Sequence, residues 1–337
     1  MPRIINITLA GTTGIPGRNI LAALLTYPPS SLTLSITVLK RTSDAAKPSD
    51  DPRPHTIYVD YTSPASLTSA LTSTDVLISA LHAEPAPYLD GILLSAAIEA
   101  SGSVVRKARN KGPLIFISGY TLDVLHPSAL AIANEQILGP KIDFARRLER
   151  EAEKGGIGYS TVVCAGFLDY ILAKGYAGLD FPEKKARLFN KGEKGCTGCT
   201  LDFVGQCVVE IVRRWFDGSE EEVESVRNRR VRVAEVRYTG HELLELAQDI
   251  TGERFDVEQV STDELFAQGK ESLERGEIDA AIGGFISKLA WDGEGAANLE
   301  QGLAFGLGRI ERKSLRLIVE EAVEEVNAGS KFKGLGR

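Results

Sequence analysis

Gly11, Gly14 and Gly17 recur at three-residue intervals in the run Gly11-Thr12-Thr13-Gly14-Ile15-Pro16-Gly17. A β-branched stretch (Ile4, Ile5, Ile7, Thr8) precedes them, and an apolar, helix-compatible stretch (Ile20, Leu21, Leu24, Leu25) follows. Strand, glycine turn and helix, in that order, suit a dinucleotide phosphate. Gly11 permits the tight turn, Gly14 lets backbone approach a pyrophosphate, and Gly17 lets the helix pack close to the strand. The helix start then offers unpaired N–H groups to the anion. The spacing is G-x-x-G-x-x-G rather than G-x-G-x-x-G, so its weight comes from its context. The competing reading is an ordinary strand-to-helix connection. The turn assigns Gly11, Thr12, Thr13, Gly14, Ile15, Gly17 and Arg18 to cofactor binding.

The next strand, Leu34 to Leu39, runs into Lys40-Arg41, where an NAD site usually places an acid for the ribose 2′-hydroxyl. Two cations there suit a 2′-phosphate: Arg41 as a planar fork, with Lys40 or Arg18 adding charge. A solvated strand end is the alternative. Asp60, Tyr61, Ala80, Leu81 and Ser118, at the ends of the following strands, and Lys141 complete the cofactor set. The expected cofactor is NADP(H).

Further candidates are scattered. His82 follows the fourth strand, and His126 lies in the loop after the fifth, with Tyr120 and Asp123 nearby. Either histidine could give a proton or orient substrate, or be a loop histidine without chemistry. His55 and His241 read as surface residues. Glu84, Tyr88, Tyr120, Phe167 and Tyr170 are the candidate substrate contacts, and Tyr120 stands with His82 and His126 among the catalytic candidates as well. Cys196-Thr197-Gly198-Cys199 has neither a second Cys pair nor a nearby His, so it reads as two small residues in a turn rather than a metal or redox motif. Asp202 reads as the cap of the next helix. No metal site is expected.

The elements that must position these groups follow from length and pattern. The 337 residues are 43% hydrophobic and 25% charged, with a net charge of −7. That composition is globular, and the negative balance argues against nucleic acid or an anionic membrane as partner. No run is long enough to span a bilayer, no cationic leader opens the chain, and four Cys do not make a disulfide scaffold. The expectation is a cytoplasmic protein, monomer or homodimer.

Strands are expected at 56–60, 75–81, 114–118 and 159–164. A short helix is expected to start at Ser63-Pro64, and helices are expected at 87–100 and at 140–154, the last stopped by Gly155-Gly156. Such alternation predicts an α/β Rossmann fold, a doubly wound parallel sheet with helices on both faces. Residues 166–200 are rich in Gly, Lys and turn residues. Beyond them come helices at 201–215, 240–251, 262–275 and 313–327, and strands at 230–236 and 255–260. We therefore expect a dinucleotide-binding domain over residues 1–165, with 201–236 added to it. A smaller, mostly helical substrate lobe would comprise 166–200 and 237–327, and 328–337 would be a flexible tail.

Several pieces in order give a resemblance: AGTTGIPG at the start, then VLKR, VDYTSPASLTSAL and DVLISAL, the helix with Lys141 and Arg146-Arg147-Leu148-Glu149, and IGYSTVVCAGFLDY. Over residues 4–265 the chain resembles the NmrA-like and isoflavone-reductase-like proteins, atypical members of the short-chain dehydrogenase superfamily, and in its Gly-Phe-x-Asp segment the fungal form. The resemblance implies an NADPH-dependent reductase of a small apolar or aromatic secondary metabolite. Hydride would go to a polarised C=C, C=N or C=O bond, with a cyclisation coupled to the redox step as a variant. It also implies a rival from another class, an NADP-sensing regulator that binds a transcription factor and catalyses nothing, the branch of NmrA itself.

In the resembling reductases a Lys on the corresponding helix acts as acid or base beside the nicotinamide, which points to Lys141. Its first-turn position after Pro140 and partial burial would both disfavour the ammonium form. The superfamily's Tyr-x-x-x-Lys pattern also occurs, as Tyr170 to Lys174, but after the sixth strand, so it reads as a helical surface pair. Two departures fall where substrate would lie: Ser118-Gly119-Tyr120 replaces the family's Pro-Ser-Glu-Phe-Gly stretch, and Ala165 stands where the family has Asn.

Overall fold

The computed structural model describes residues 2–28, 31–44, 52–81, 86–103, 113–134, 136–292, 296–299 and 310–329. The chain divides into two compact units. The first comprises Met1–Tyr120, Pro140–Val162 and Val204–Val231; the second comprises Thr121–Gly139, Val163–Phe203 and Arg232–Arg337. The expected division kept 121–139 with the first domain, whereas this stretch clusters with the second unit.

The first unit is built on a seven-stranded sheet. Its strands are β1 (Arg3–Ala10), β2 (Leu32–Arg41), β3 (His55–Val59), β4 (Val76–Ser79), β5 (Ile115–Thr121), β6 (Gly158–Val163) and β11 (Arg229–Arg232), in the order β11-β6-β5-β4-β1-β2-β3. The pairs β1–β2, β1–β4, β2–β3 and β4–β5 are parallel. This is the doubly wound order, reversing direction between β1 and β4. Every residue of β4 is buried, as expected of a central strand covered on both faces.

The helices are α1 (Ile15–Leu25), α2 (Pro64–Leu71), α3 (Ala86–Gly102), α5 (Gly139–Glu153) and α7 (Leu201–Asp217), α4 and α6 lying in the second unit. Ser63 caps α2, accepting from the Ser66 N–H at 3.3 Å, and Gly155 ends α5 at φ +74°. Leu67, Leu71, Leu77, Leu93, Leu94, Phe116 and Leu148 form one continuous core. Elsewhere α1 and α7 approach so closely that a Cβ on Gly205 would stand 2.8 Å from the Asn19 carbonyl oxygen.

The second unit holds α4 (Pro127–Ala131), α6 (Leu168–Ala173) and two small sheets. One is ordered β12-β10-β7, from β7 (Gly166–Phe167), β10 (Gly195–Cys199) and β12 (Val236–Thr239). The other is ordered β13-β9-β8, from β8 (Leu179–Asp180), β9 (Lys185–Phe189) and β13 (Asp256–Val260). A short helix, α8 (Glu220–Val226), belongs to the first unit. The remaining helices are α9 (Gly240–Thr251), α10 (Thr262–Glu274), α11 (Ile278–Trp291) and α12 (Leu315–Asn327). The strands within 166–200 and the helix α11 were not anticipated.

The expected strand 230–236 is really two, β11 in the large sheet and β12 in a small one. The chain turns between them at Glu235, whose N–H donates to the Gly198 carbonyl at 3.0 Å. Its carboxylate accepts from the Thr200 N–H at 2.6 Å and the Lys313 N–H at 3.0 Å. Residues 330–337 of the expected tail lie outside the described residues. No described helix is long and apolar enough to cross a membrane.

Candidate functional site

The switch point places the end of β1 beside the end of β4, with Ala10 opposite Ser79 in register. Gly11 follows at φ +87°, and a Cβ there would stand 2.3 Å from the Ala80 carbonyl oxygen. A Cβ on Gly17 would stand 2.1 Å from the Gly11 carbonyl oxygen and 3.2 Å from the Ala80 Cβ. Gly17 therefore seats the first turn of α1 on the glycine turn itself, and neither position tolerates a side chain unless backbone moves. Gly14 is different. The nearest atoms to a Cβ there lie 3.4 and 3.5 Å away, an ordinary van der Waals contact, so a methyl would fit without moving backbone. It is also the N-cap of α1, with no capping side chain and no acid in the first turn. The helix start is thus an open, uncapped set of N–H donors, which fits the phosphates of a dinucleotide. Thr12 and Ile15 flank it half-buried, while Thr13 and Arg18 are exposed.

At the end of β2, Lys40 is half-buried and Arg41 exposed, and strand alternation sends them to opposite faces. Arg41 lies close enough to Tyr61 for its charge to act on the phenol. Burial, the stronger influence, still pushes the Tyr61 hydroxyl up to about 12. The Asp60 carboxylate turns back to Thr62, accepting from its N–H at 2.8 Å and its hydroxyl at 2.7 Å. These bonds hold it below the ordinary carboxylate range.

Lys141 occupies the first turn of α5, half-buried. Burial of its ammonium lowers its pKa, opposed by the negative charge of Asp90. Asp90, on α3, accepts a hydrogen bond from the Ser79 hydroxyl at the end of β4. Burial raises its carboxyl to about 6, against the Ser79 bond and the Lys141 charge. Ser79 and Asp90 were missed in the sequence. The one available signal was an acid opening an otherwise apolar stretch, Gly91 to Ile98. Beside this group, β5 ends irregularly: Gly119 has φ +111° and the buried Tyr120 φ +59°. The Ser118 Oγ is buried with no hydrogen-bond partner among the described residues.

The other candidates do not join this group within the first unit. His126 belongs to the second unit, where its Nδ1 accepts from the Ser128 N–H at 3.2 Å and lies 2.8 Å from the Ser128 hydroxyl, capping α4. Phe167 precedes α6 as its N-cap. Lys174 sits over the Tyr170 ring at 5.9 Å, and Tyr176 packs edge-on to Tyr170, an aromatic–cation pair of the second unit. His82, Glu84 and the side chain of Tyr88 lie outside the described residues.

Cys196 and Cys199 are in β10, not in a turn. Both are buried thiols, the first donating to the Ala290 carbonyl at 2.6 Å and the second to that of Val233 at 3.5 Å. Burial pushes the Cys196 thiol up to about 12, away from a reactive thiolate. Among the described residues no three or more His, Cys, Asp or Glu are grouped as metal ligands. The cap of α7 is Thr200, whose hydroxyl accepts from the Phe203 N–H at 3.3 Å, rather than Asp202. A cavity of about 580 Å³ opens at the opposite edge of the large sheet, lined by Arg3, Ile4, Trp215, Phe216 and Arg227 among others. It is remote from the glycine turn.

No protein-family model matches the chain, and no curated protein matches it in sequence. Solved structures do match its fold. An isoflavone reductase superposes with a TM-score of 0.64 at 18% identity, over 96% of this chain and 99% of that one. Leucoanthocyanidin reductase from Vitis vinifera, solved with NADPH, gives 0.63 at 15% identity, over 95% and 99%. Triphenylmethane reductase from Citrobacter sp. gives 0.62 at 18%, over 95% and 100%. At these identities the likeness is one of fold, and it extends over nearly the whole of each chain.

Proposed function

We propose that this chain is an NADPH-dependent reductase of the NmrA-like and isoflavone-reductase-like group, of fungal type, acting in the cytoplasm on a small apolar or aromatic secondary metabolite. The observation that carries the reading is Lys141, an ammonium disfavoured by burial, in the first turn of α5. It shares a unit with a glycine turn that would admit a Cβ without backbone movement only at Gly14. A protein that merely senses the dinucleotide has no need of a lysine prepared in this way.

The residues divide the work. Gly14 and the N–H groups at the start of α1 receive the pyrophosphate, and Arg41 receives the 2′-phosphate, with Arg18 rather than Lys40, on the opposite face of the strand, adding charge. NADPH, when bound, supplies the hydride. Lys141 holds a proton and releases it to the substrate atom that gains negative charge when the adjacent carbon is reduced. Its lowered pKa makes that transfer less uphill than from an ordinary lysine. Tyr120, in the same unit as Lys141, is the substrate contact we assign. The cofactor reading draws support from a fold neighbour solved with NADPH. The names of the three neighbours share multi-ring aromatic compounds, which supports the substrate class.

The test is binding and turnover together. NADPH should bind more tightly than NADH and be oxidised, as read at 340 nm, by at least one aromatic metabolite carrying a polarised double bond. Tight NADPH binding with no oxidation across such a panel would favour the non-catalytic regulator.

A further inference from the structure

The cavity of about 580 Å³ at the amino ends of β1, β5 and β6 has no part in the reading above. Its floor is apolar, from the buried Ile5, Ile115 and Ile157. Its rim carries two exposed arginines, Arg3 at the start of β1 and Arg227 after α8. Each guanidinium lies over an aromatic ring of α7, Arg3 at 4.9 Å from the Phe216 ring centre and Arg227 at 5.6 Å from that of Trp215. We propose that this cavity is a second binding site, which takes a planar aromatic carboxylate with its rings on the apolar floor and its charge at the rim arginines.

The positive charge there is not already answered. Among the described residues no carboxylate pairs with either guanidinium; Arg3 gives one N–H to the Phe216 carbonyl at 3.4 Å. Asp75, the acid in the lining, is turned to β1 instead. It accepts from the Asn6 N–H at 2.9 Å and from the Asn6 side-chain amide at 3.2 Å. A guanidinium has five N–H donors in a planar fork, and two of them fit one carboxylate.

The wall and the cations are held in place by the protein itself. The Trp215 Nε1–H donates to the Ser160 hydroxyl at 2.9 Å, and that hydroxyl donates to the Val226 carbonyl at 2.7 Å. At the start of β6, a Cβ on Gly158 would stand 2.9 Å from Trp215 Cη2, so the ring fills the space a side chain would take. Asn228, at φ +52°, pins the turn that bears Arg227. Its N–H donates to the Tyr159 carbonyl at 2.8 Å, and its side-chain oxygen accepts from the Tyr159 N–H at 3.0 Å. Walls ordered in advance lower the cost of binding.

Floor and rim together select the ligand. Inorganic phosphate would leave the apolar floor against water, and a neutral hydrocarbon would leave the arginines without an anion. A carboxylate on an aromatic body satisfies both, and its rings suit the Trp215 and Phe216 wall. The volume lies in the range of about 300–1,000 Å³ usual for small-molecule sites. The eight residues of β1 separate this cavity from Gly11, a span of about 26 Å. Occupancy here therefore leaves the glycine turn open.

The probe is 2-naphthoate, titrated into the full chain labelled with ¹⁵N at its two tryptophans, with and without NADP+. The indole N–H signal of Trp215, identified by its absence in Trp215→Phe, should move saturably. That of Trp291, buried in the second unit, should stay. Arg227→Gln and Arg3→Gln change exposed side chains, so Tm should hold while each weakens binding by about ten- to hundredfold. 2-Naphthylmethanol, with the same rings and no charge, and inorganic phosphate should each bind about tenfold more weakly or worse. NADP+ should leave the affinity for naphthoate as it was. A Trp215 signal that stays put at millimolar naphthoate would overturn the proposal, as would native affinity in either arginine variant. Equal binding of the alcohol or of phosphate would do the same. Displacement of naphthoate by NADP+ would put the probe in the nucleotide site and sink the second site as well.

Discussion

Gly14→Ala separates folding from cofactor binding, because Gly14 and Gly17 meet such different surroundings. At Gly17 an added methyl would start 2.1 Å from a backbone oxygen, so the turn must open by more than an ångström. Overpacking of this kind costs about 1–3 kcal/mol. A unit of this size loses roughly 2–4 °C of Tm per kcal/mol, so Gly17→Ala should fall by several degrees. At Gly14 the nearest atom is 3.4 Å away, and the backbone, at φ −76° and ψ 171°, is open to alanine. The unfolded chain loses freedom with the change, a gain of about 0.4–1 kcal/mol, so Tm should hold or rise slightly. With the pyrophosphate placed at this N-cap, the same methyl crowds the anion at the N–H groups of α1. Losing one charge-assisted hydrogen bond costs about 1.5–3 kcal/mol, which is roughly a ten- to hundredfold weaker NADPH complex. Thermal unfolding and NADPH fluorescence titration, run on both variants, give the two readouts. Native-like NADPH affinity in Gly14→Ala would refute the phosphate assignment outright.

Other outcomes follow from the same geometry. Arg41→Ala should erase most of the preference for NADPH over NADH, about ten- to hundredfold, as read by competitive titration; a preference that survives intact would move the 2′-phosphate elsewhere. Lys141→Met should slow single-turnover NADPH oxidation by about 10²–10⁴-fold with cofactor affinity retained, whereas Lys174→Met should cost far less, its ammonium being occupied with the Tyr170 ring. EDTA should leave activity and Tm unchanged; Cys196→Ser with Cys199→Ser should lower Tm modestly, since both thiols are buried, and leave NADPH affinity as it was. Asp90, raised to about 6, binds its proton more tightly folded than unfolded, so its stabilisation is full below about pH 4 and is lost as pH rises through 6. Denaturant titrations should therefore show Asp90→Asn gaining on the native protein, by about 2 kcal/mol between pH 4.5 and 7.

The parts legible in the sequence were those whose signal is local. The glycine spacing, the β-branched run before it and the Ser63-Pro64 start of α2 each carry their own punctuation, and the structure has strands and helices there. The parts that were not legible depend on a partner distant in sequence. Helix α11 contains Gly283-Gly284, which reads as a break. The structure uses Gly284 for contact instead, since a Cβ there would stand 2.4 Å from the Leu265 carbonyl oxygen of α10. The strand β10, Gly-Cys-Thr-Gly-Cys, has little β propensity, and every residue of it is buried between β12 and β7. Pairing on both sides overrides composition.

The site divides along the same line, and this explains why its chemistry was only half visible. Lys141 could be singled out by its place in a helix first turn, but its lowered basicity depends on burial, and Asp90 opposes that from another helix fifty-one positions earlier in the chain. Nothing in the local pattern of α3 distinguishes a carboxylate held by Ser79 from a solvated one. The departures noted at Ser118-Gly119-Tyr120 and Ala165 acquire a physical content in the same way. Tyr120 and Ala165 both sit at positive φ, +59° and +56°, a region that costs a non-glycine residue of order 1–3 kcal/mol. Asn, the residue of the resembling family at the second position, enters that region more readily than Ala does. The chain thus retains strained backbone at the ends of β5 and β6 without the residue type that would ease it at 165, and strain of this kind persists where the surrounding structure over-determines it.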